Sequence, residues 1–352
     1  MKKYLILGNG ESPHILKWTR ELVKYYEVFL VSSQDVSKEI QKLIPEEHIY
    51  TFNLQISESG GNYKYIKTIG PLKRIINKVR PDFVNAHYIT SHGLVAALTK
   101  KFSSHNFKLI QSAWGSDILV TPNRNRIYKM LTRFALKQAD LATTDSKRVA
   151  EIINGFSNTP TMTFPFGLQT LPEASADEKD PNLFFSNRTL NANSNIDRVL
   201  HFFAKISDQN KDARLVIAND GPSNNKLHEL SKQLGIEKEV SFVGFISEDE
   251  QIEYYRTAQF YFSLLSSDAL SVSLLEALAF GCIPILSDLP DNREWVKDKE
   301  NGIIMFDGIS TDVLPPLLNK AASIFETNRQ MIAEKAIFPK SMEEYYQKLQ
   351  NI

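Results

Sequence analysis

Short, mostly apolar runs alternate with longer amphipathic stretches along the whole 352-residue chain, and they do so in two successive series. The first series falls at 4–9, 27–33, 82–88, 108–114, 139–145 and 161–167; the second at 183–188, 213–220, 240–245, 259–264, 283–288 and 302–306. Between them lie helical patterns. At 71–79, Leu72, Ile75, Ile76 and Val79 share one face while Lys73, Arg74 and Lys78 stay outside it. Short strands alternating with such helices predict an α/β fold, each parallel sheet covered on both faces. Residues 170–181 are polar and acidic with prolines at 172 and 181, which reads as a linker. The expectation is two doubly wound, Rossmann-like domains, 1–167 and 168–340. Phe338-Pro339 interrupts the pattern and a helix restarts at 341.

Composition bounds what such a chain does. At 42% hydrophobic and 23% charged residues, it is neither disordered nor fibrous. No apolar run approaches the roughly 18–20 residues of a membrane span, and Met1-Lys2-Lys3-Tyr4 leads directly into a strand rather than a signal peptide. Cys282 stands alone, so neither an internal disulfide nor a cysteine-clustered metal site is available, which suits a reducing cytoplasm. The formal net charge of zero hides an asymmetry: residues 1–165 carry 23 Lys and Arg against 13 Asp and Glu, a balance of +10, and the remainder carries −10. Acids interrupt the basic half throughout, unlike the Lys/Arg stripe of a nucleic-acid groove, so no nucleic-acid partner is expected. A solvated surface and docking to an anionic partner or membrane face both remain open.

Ligands of open parallel sheets bind beyond the carboxyl ends of the strands, and polar residues collect there. In the first series they are Gly8-Asn9-Gly10, His87 and Trp114-Gly115-Ser116-Asp117; in the second, Arg188, Asp220-Gly221-Pro222, Ser266-Ser267-Asp268 and Ser287-Asp288. Two such rims facing each other would form a cleft. Pro13 stands where a dinucleotide fingerprint needs its third glycine, so NAD binding is not expected and a tight turn is the alternative. His87 reads as a hydrogen-bonded core histidine or a ligand, and Trp114 as core filling or a cleft wall.

The stretch LLSSDALSVSLLEALAFG at 264–281 says more. A helix starting near Ser271 and ending before Gly281 is apolar nearly all round, with Ser273 and Glu276 on one stripe. A carboxylate there needs partners: a ligand diol, or an internal arginine or amide. The helix start at Leu270, Ser271 and Val272 offers amides to a phosphate. Phosphate seat and diol acceptor together favour a nucleotide. There is no P-loop, H-E-x-x-H, G-x-S-x-G or kinase loop set. Glu248-Asp249-Glu250 reads as the start of a helix rather than a metal site.

These residues make the chain resemble a family 4 glycosyltransferase of the GT-B fold. The resemblance runs from Ser12-Pro13-His14 and Lys17-Trp18 through PDFVNAHYITSHGL, SAWGSDILVTP, ADLATTDSKRVAE, FPFGL, the Asp220-Gly221-Pro222 turn and VSFVGFIS to SSDALSVSLLEALAFGCIPILSDLPDNREWV. It implies two domains facing across a cleft, with the donor on the second domain and the acceptor on the first. The helix at 341–352 would pack back on the first domain. The implied reaction is a retaining, metal-independent transfer of a sugar from a nucleoside diphosphate donor, foremost a UDP-sugar. No cofactor is implied. The acceptor would be a glycan or a polyprenyl-diphosphate-linked saccharide in bacterial polysaccharide synthesis, at the cytoplasmic face of the membrane. By the same resemblance Glu276 holds the ribose, Asp268 contacts the sugar, Arg188 neutralises the diphosphate, and Phe245 lines the base. Gly10, Gly221, Leu270, Ser271 and Val272 lie near the donor, and His14 and Trp114 on the acceptor side.

Three departures stand out. Asp268 replaces a glutamate, 189–197 lacks the usual lysine so that Arg198 is the nearest substitute, and Trp114 replaces a histidine, leaving His87 or Asp117 for that polar role. A GT-B sugar-nucleotide epimerase and a non-catalytic glycosyltransferase-like partner protein are the alternative readings.

Overall fold

The computed structural model describes residues 1–54, 63–306 and 308–352. It divides into two compact units, residues 1–169 with 338–352, and residues 170–337.

The first unit carries β1 (Lys3–Gly8), β2 (Glu27–Ser32), β3 (Ile49–Thr51), β4 (Phe83–His87), β5 (Lys108–Ser112), β6 (Leu141–Thr144) and β7 (Thr161–Thr163). They form one parallel sheet in the order β3-β2-β1-β4-β5-β6-β7. The direction of winding reverses between β1 and β4, which opens a crevice at their carboxyl ends. Helices supply the two covers; in Ile69–Val79 the buried residues are Leu72, Ile76 and Val79. The helix Phe338–Gln350 is part of this unit. Its Phe338, Met342, Tyr345 and Leu349 join a core with Tyr4, Trp18, Leu30 and Phe166. The Tyr4 and Tyr345 hydroxyls are 2.6 Å apart, and Trp18 meets Tyr345 edge-on at 5.3 Å.

The second unit carries β8 (Asp180–Ser186), β9 (Arg214–Ala218), β10 (Val240–Gly244), β11 (Ala258–Ser263), β12 (Ile283–Ser287) and β13 (Ile303–Met305), parallel in the order β10-β9-β8-β11-β12-β13. Here the reversal lies between β8 and β11. Phe184 stacks on Phe260 at 4.6 Å inside a core that includes Phe203, Leu215 and Ile285.

Three details differ from the sequence expectation. β3, three residues at the sheet edge, lies outside the expected runs. β8 begins at Asp180, inside the expected linker, where Asp180 pairs in register with Ala258 and accepts from Arg214. The last helix begins at Phe338 rather than 341, because a proline in the first turn removes an amide that has no helical partner anyway.

Candidate functional sites in the two units

In the second unit, Arg188 follows β8 at the switch point, and its guanidinium reaches four side chains. Nε donates to Ser263 Oγ at 2.9 Å, Nη1 to Ser273 Oγ at 3.4 Å, and Nη2 to Asp268 Oδ2 at 3.2 Å and Ser271 Oγ at 2.5 Å. Burial alone would pull its pKa down; Tyr261, Asp268 and Tyr255 outweigh that, so it is raised and the group stays a cation. Burial pushes the Asp268 carboxyl up, against Arg188. Its Oδ1 accepts from the Ala269 amide at 3.0 Å.

Ser271 caps the helix Val272–Ala279, accepting from Leu274 N, and so ties the helix start to Arg188. The amides of Leu270, Ser271 and Val272 precede the first intrahelical bond. That helix is not buried all round as its sequence suggests: Val272, Ser273 and Glu276 form a half-buried stripe, while Leu274, Leu275, Ala277 and Leu278 are buried. Gly281 follows at φ +73°, the left-handed position that favours glycine.

A polar network behind the stripe holds it. Tyr261 Oη donates to Asn187 Oδ1 at 2.9 Å; Asn187 Nδ2 donates to Tyr255 Oη and to Gln251 Oε1, each at 2.9 Å. Gln251 Nε2 reaches Glu276 Oε2 at 3.4 Å, and Tyr255 Oη donates to the Ser273 carbonyl at 3.2 Å. Sequence reasoning missed Asn187, Gln251, Tyr255, Tyr261 and Ser263. They come from separate elements: Asn187 follows β8, Gln251 and Tyr255 lie on the helix Glu248–Thr257, and Tyr261 and Ser263 lie on β11.

Gly221 has a backbone role. A Cβ there would stand 2.5 Å from the Leu190 carbonyl oxygen, where the two loops clasp through Leu190 N to Asp220 O at 3.0 Å and Ser223 N to Leu190 O at 2.8 Å. Phe245, just beyond β10, is 79% exposed. Arg198 borders a small pocket with His201, Lys205 and Met305. Glu250 and Ser247 close a capping box, the helix-start reading of that acidic cluster.

In the first unit, a cavity of about 910 Å³ opens at the carboxyl ends of β1, β2, β4 and β5, lined there by Asn9, Ser33, His87 and Trp114. Trp114 is half-buried, its ring 4.4 Å from His14, 4.8 Å from Phe166 and 5.7 Å from His87, so it is both core packing and cavity wall. His87 is buried, and its ring nitrogens have neither a partner among the described residues nor exposure to the cavity. Burial lowers its pKa to about 3, and those of His14 and His92 to about 4. His92 Nδ1 donates to the His87 carbonyl at 2.8 Å, which fixes the tautomer and leaves Nε2 as an unpartnered acceptor among the described residues.

Asp117 does not line the cavity. It is wholly buried, its two oxygens accepting from Ile89 N at 2.7 Å and Trp114 N at 3.0 Å, so it braces the loops after β4 and β5. Burial raises its pKa to about 6, against those amides. Gly10 is likewise framework: its amide donates to Ser32 Oγ at 2.8 Å, and a Cβ would stand 2.9 Å from the Asp35 carbonyl. Tyr88, at φ +79°, holds a backbone conformation costly for a side chain directly on the cavity wall.

Residues 169–336 match the family described as Glycosyl transferases group 1, and residues 3–146 match Glycosyl transferase 4-like. The chain belongs to the family 4 glycosyltransferases. It is 30% identical over 158 residues to alpha-monoglucosyldiacylglycerol synthase of Streptococcus pneumoniae, covering 43% of this chain and 35% of that one. It is 23% identical to N-acetyl-alpha-D-glucosaminyl L-malate synthase of Bacillus anthracis over 66% of this chain and 63% of that one. The match thus spans about a third of the first relative's length and under two thirds of the second's. Among solved structures, Anabaena HepE in complex with UDP and glucose matches over 100% of both chains at TM-score 0.79 and 14% identity. Sucrose-phosphate synthase of Thermosynechococcus elongatus does so at 0.76 and 14%. The GT-B likeness of the two parallel sheets is thereby established.

Among the described residues, no helix is long and apolar enough to cross a membrane.

Proposed function

We propose that this family 4 protein is a retaining glycosyltransferase. Its second unit binds a UDP-sugar, and its first binds a glycan or lipid-linked acceptor at an anionic membrane surface during surface-polysaccharide assembly. The observation that carries the donor site is Arg188. A guanidinium kept cationic at the switch point of the second sheet, beside the amide-rich start of the Val272–Ala279 helix, matches the charge of a leaving diphosphate. Glu276, on the half-buried stripe of that helix, is suited to accept from two ribose hydroxyls. UDP bound to Anabaena HepE supports the choice of base.

As the glycosidic bond breaks, negative charge grows on the diphosphate and the sugar becomes oxocarbenium-like. Arg188 and the Leu270, Ser271 and Val272 amides meet that charge where it develops. This reading assigns the neutralisation to the protein rather than to a metal ion. His87, buried and with its pKa depressed to about 3, is a poor base at neutral pH. The proton therefore passes to the departing phosphate, on the face the leaving group vacates, and configuration is retained.

The test is UDP release from UDP-sugars with and without a polyprenyl-diphosphate-linked saccharide, in the presence of EDTA. Release that requires the acceptor, survives EDTA and gives an α-linked product from an α-linked donor supports the reading. Conversion of the donor without any acceptor would instead indicate an epimerase.

A further inference from the structure

The 910 Å³ cavity has two chemically different ends. Its strand-tip end is polar, lined by Asn9, Ser12, Ser33 and Gln34 beside His87 and His92. Along the helices Leu94–Phe102 and Arg126–Lys137 it is mostly aliphatic, lined by Leu94, Val95, Leu98 and Leu131 with Tyr128 and Thr132. Ile66 and Ile127 also border the cavity and are 57% and 65% exposed, so its rim is apolar too. An aliphatic arm filled with water is unfavourable, and a hydrocarbon occupant would relieve it. Charge identifies the rest of the occupant. Between Asp117 and Asp140 the chain carries Arg124, Arg126, Lys129, Arg133 and Lys137 and no acid, and none of these cations forms an ion pair among the described residues. Arg124 lines the cavity itself.

We propose that the aliphatic arm between these helices holds the hydrocarbon chain of an anionic amphiphile, with its charged group against Arg124. This rests on the acceptor reading above and narrows it from a glycan or lipid-linked acceptor to a lipid carrying phosphate, seated in this cavity. The polar end then receives the acceptor's hydroxyl-bearing portion beside His87 and His92.

The probe is dodecyl phosphate below its micelle concentration, titrated calorimetrically into the full chain alongside hexyl phosphate, dodecanol and, separately, UDP. Dodecyl phosphate should bind at least about a hundredfold more tightly than hexyl phosphate, since each buried methylene is worth up to about fourfold in affinity. Leu98→Trp and Leu131→Trp, which fill the arm, should each weaken it at least about tenfold, as should Ile127→Ser on the exposed rim, where folding is not at stake. Arg124→Gln should weaken dodecyl phosphate and leave dodecanol unchanged. Affinity indifferent to chain length, or undiminished in Leu131→Trp and Ile127→Ser proteins that unfold at the wild-type temperature, would overturn the proposal. UDP binding with no dodecyl phosphate binding would sink this inference alone; the converse would sink the donor reading and spare it.

Discussion

At the residue scale, one planar fork on Arg188 serves Ser263, Ser273, Asp268 and Ser271 together, and the proposed mechanism turns on it. Replacing it by alanine should lower kcat at saturating donor by about 10²–10³-fold. Lysine, which keeps the charge but not the fork, should recover only part of that. An unchanged kcat in Arg188→Ala would remove Arg188 from the mechanism. Asp117 makes a different prediction. Asn accepts through one oxygen only, so Asp117→Asn strands one of the two buried amides and should cost about 1–3 kcal/mol in urea unfolding. The buried His87 and His92 and the half-buried His14 set a pH dependence. His14, His87 and His92 have folded pKa values near 4, 3 and 4, against 6.5 when unfolded. Their contribution is complete above pH 6.5 and is lost as pH falls, because the unfolded chain takes up protons that the folded one refuses. Asp117, raised from 3.8 to about 6, acts oppositely between those values, as does Asp268, also raised by burial, so two groups stand against three. The unfolding temperature should therefore drop by several degrees from pH 7 to pH 5; a rise would contradict these assignments.

At the scale of elements, the helix Val272–Ala279 was readable because its cap, its apolar run and Gly281 all stand in one local stretch. The half-buried stripe on it was not, since exposure depends on what the neighbouring strands leave uncovered. The tyrosine and amide network was invisible for the same reason: Asn187 and Tyr261 lie 74 residues apart and meet only once β8 pairs with β11. β3 has no counterpart among the expected runs, whereas the equally short β7 and β13 fall within the runs at 161–167 and 302–306. Asp117 and Gly10, chosen from sequence for their place at strand ends, turn out to brace loops. A buried carboxylate and a glycine look alike in sequence whether they serve a ligand or a turn. Gly221 tests the clasp between two such loops. Gly221→Ala places a methyl against the Leu190 backbone, which cannot swing aside as a side chain would. It should cost about 1–3 kcal/mol in stability and weaken nucleotide binding measurably. A fully stable variant with unaltered affinity would show that the loops have room to spare.

At the scale of the molecule, the two sheets repeat one winding rule, and each reversal of strand order collects the polar residues that the sequence had placed at strand ends. The charge asymmetry falls along the same division, +10 in the first unit and −10 in the second. On the proposed reading, that charge would draw the first unit to anionic lipid, and phosphate binding by the second would rest on the local Arg188 cluster rather than on net charge. The central claim is the donor site, and the most direct measurement is calorimetric titration of UDP-, GDP-, ADP- and dTDP-sugars into the wild-type chain and Glu276→Ala. Selective binding of a UDP-sugar by the wild type, lost in the variant, is the expected result. No nucleotide binding at all, or binding untouched by Glu276→Ala, would contradict it.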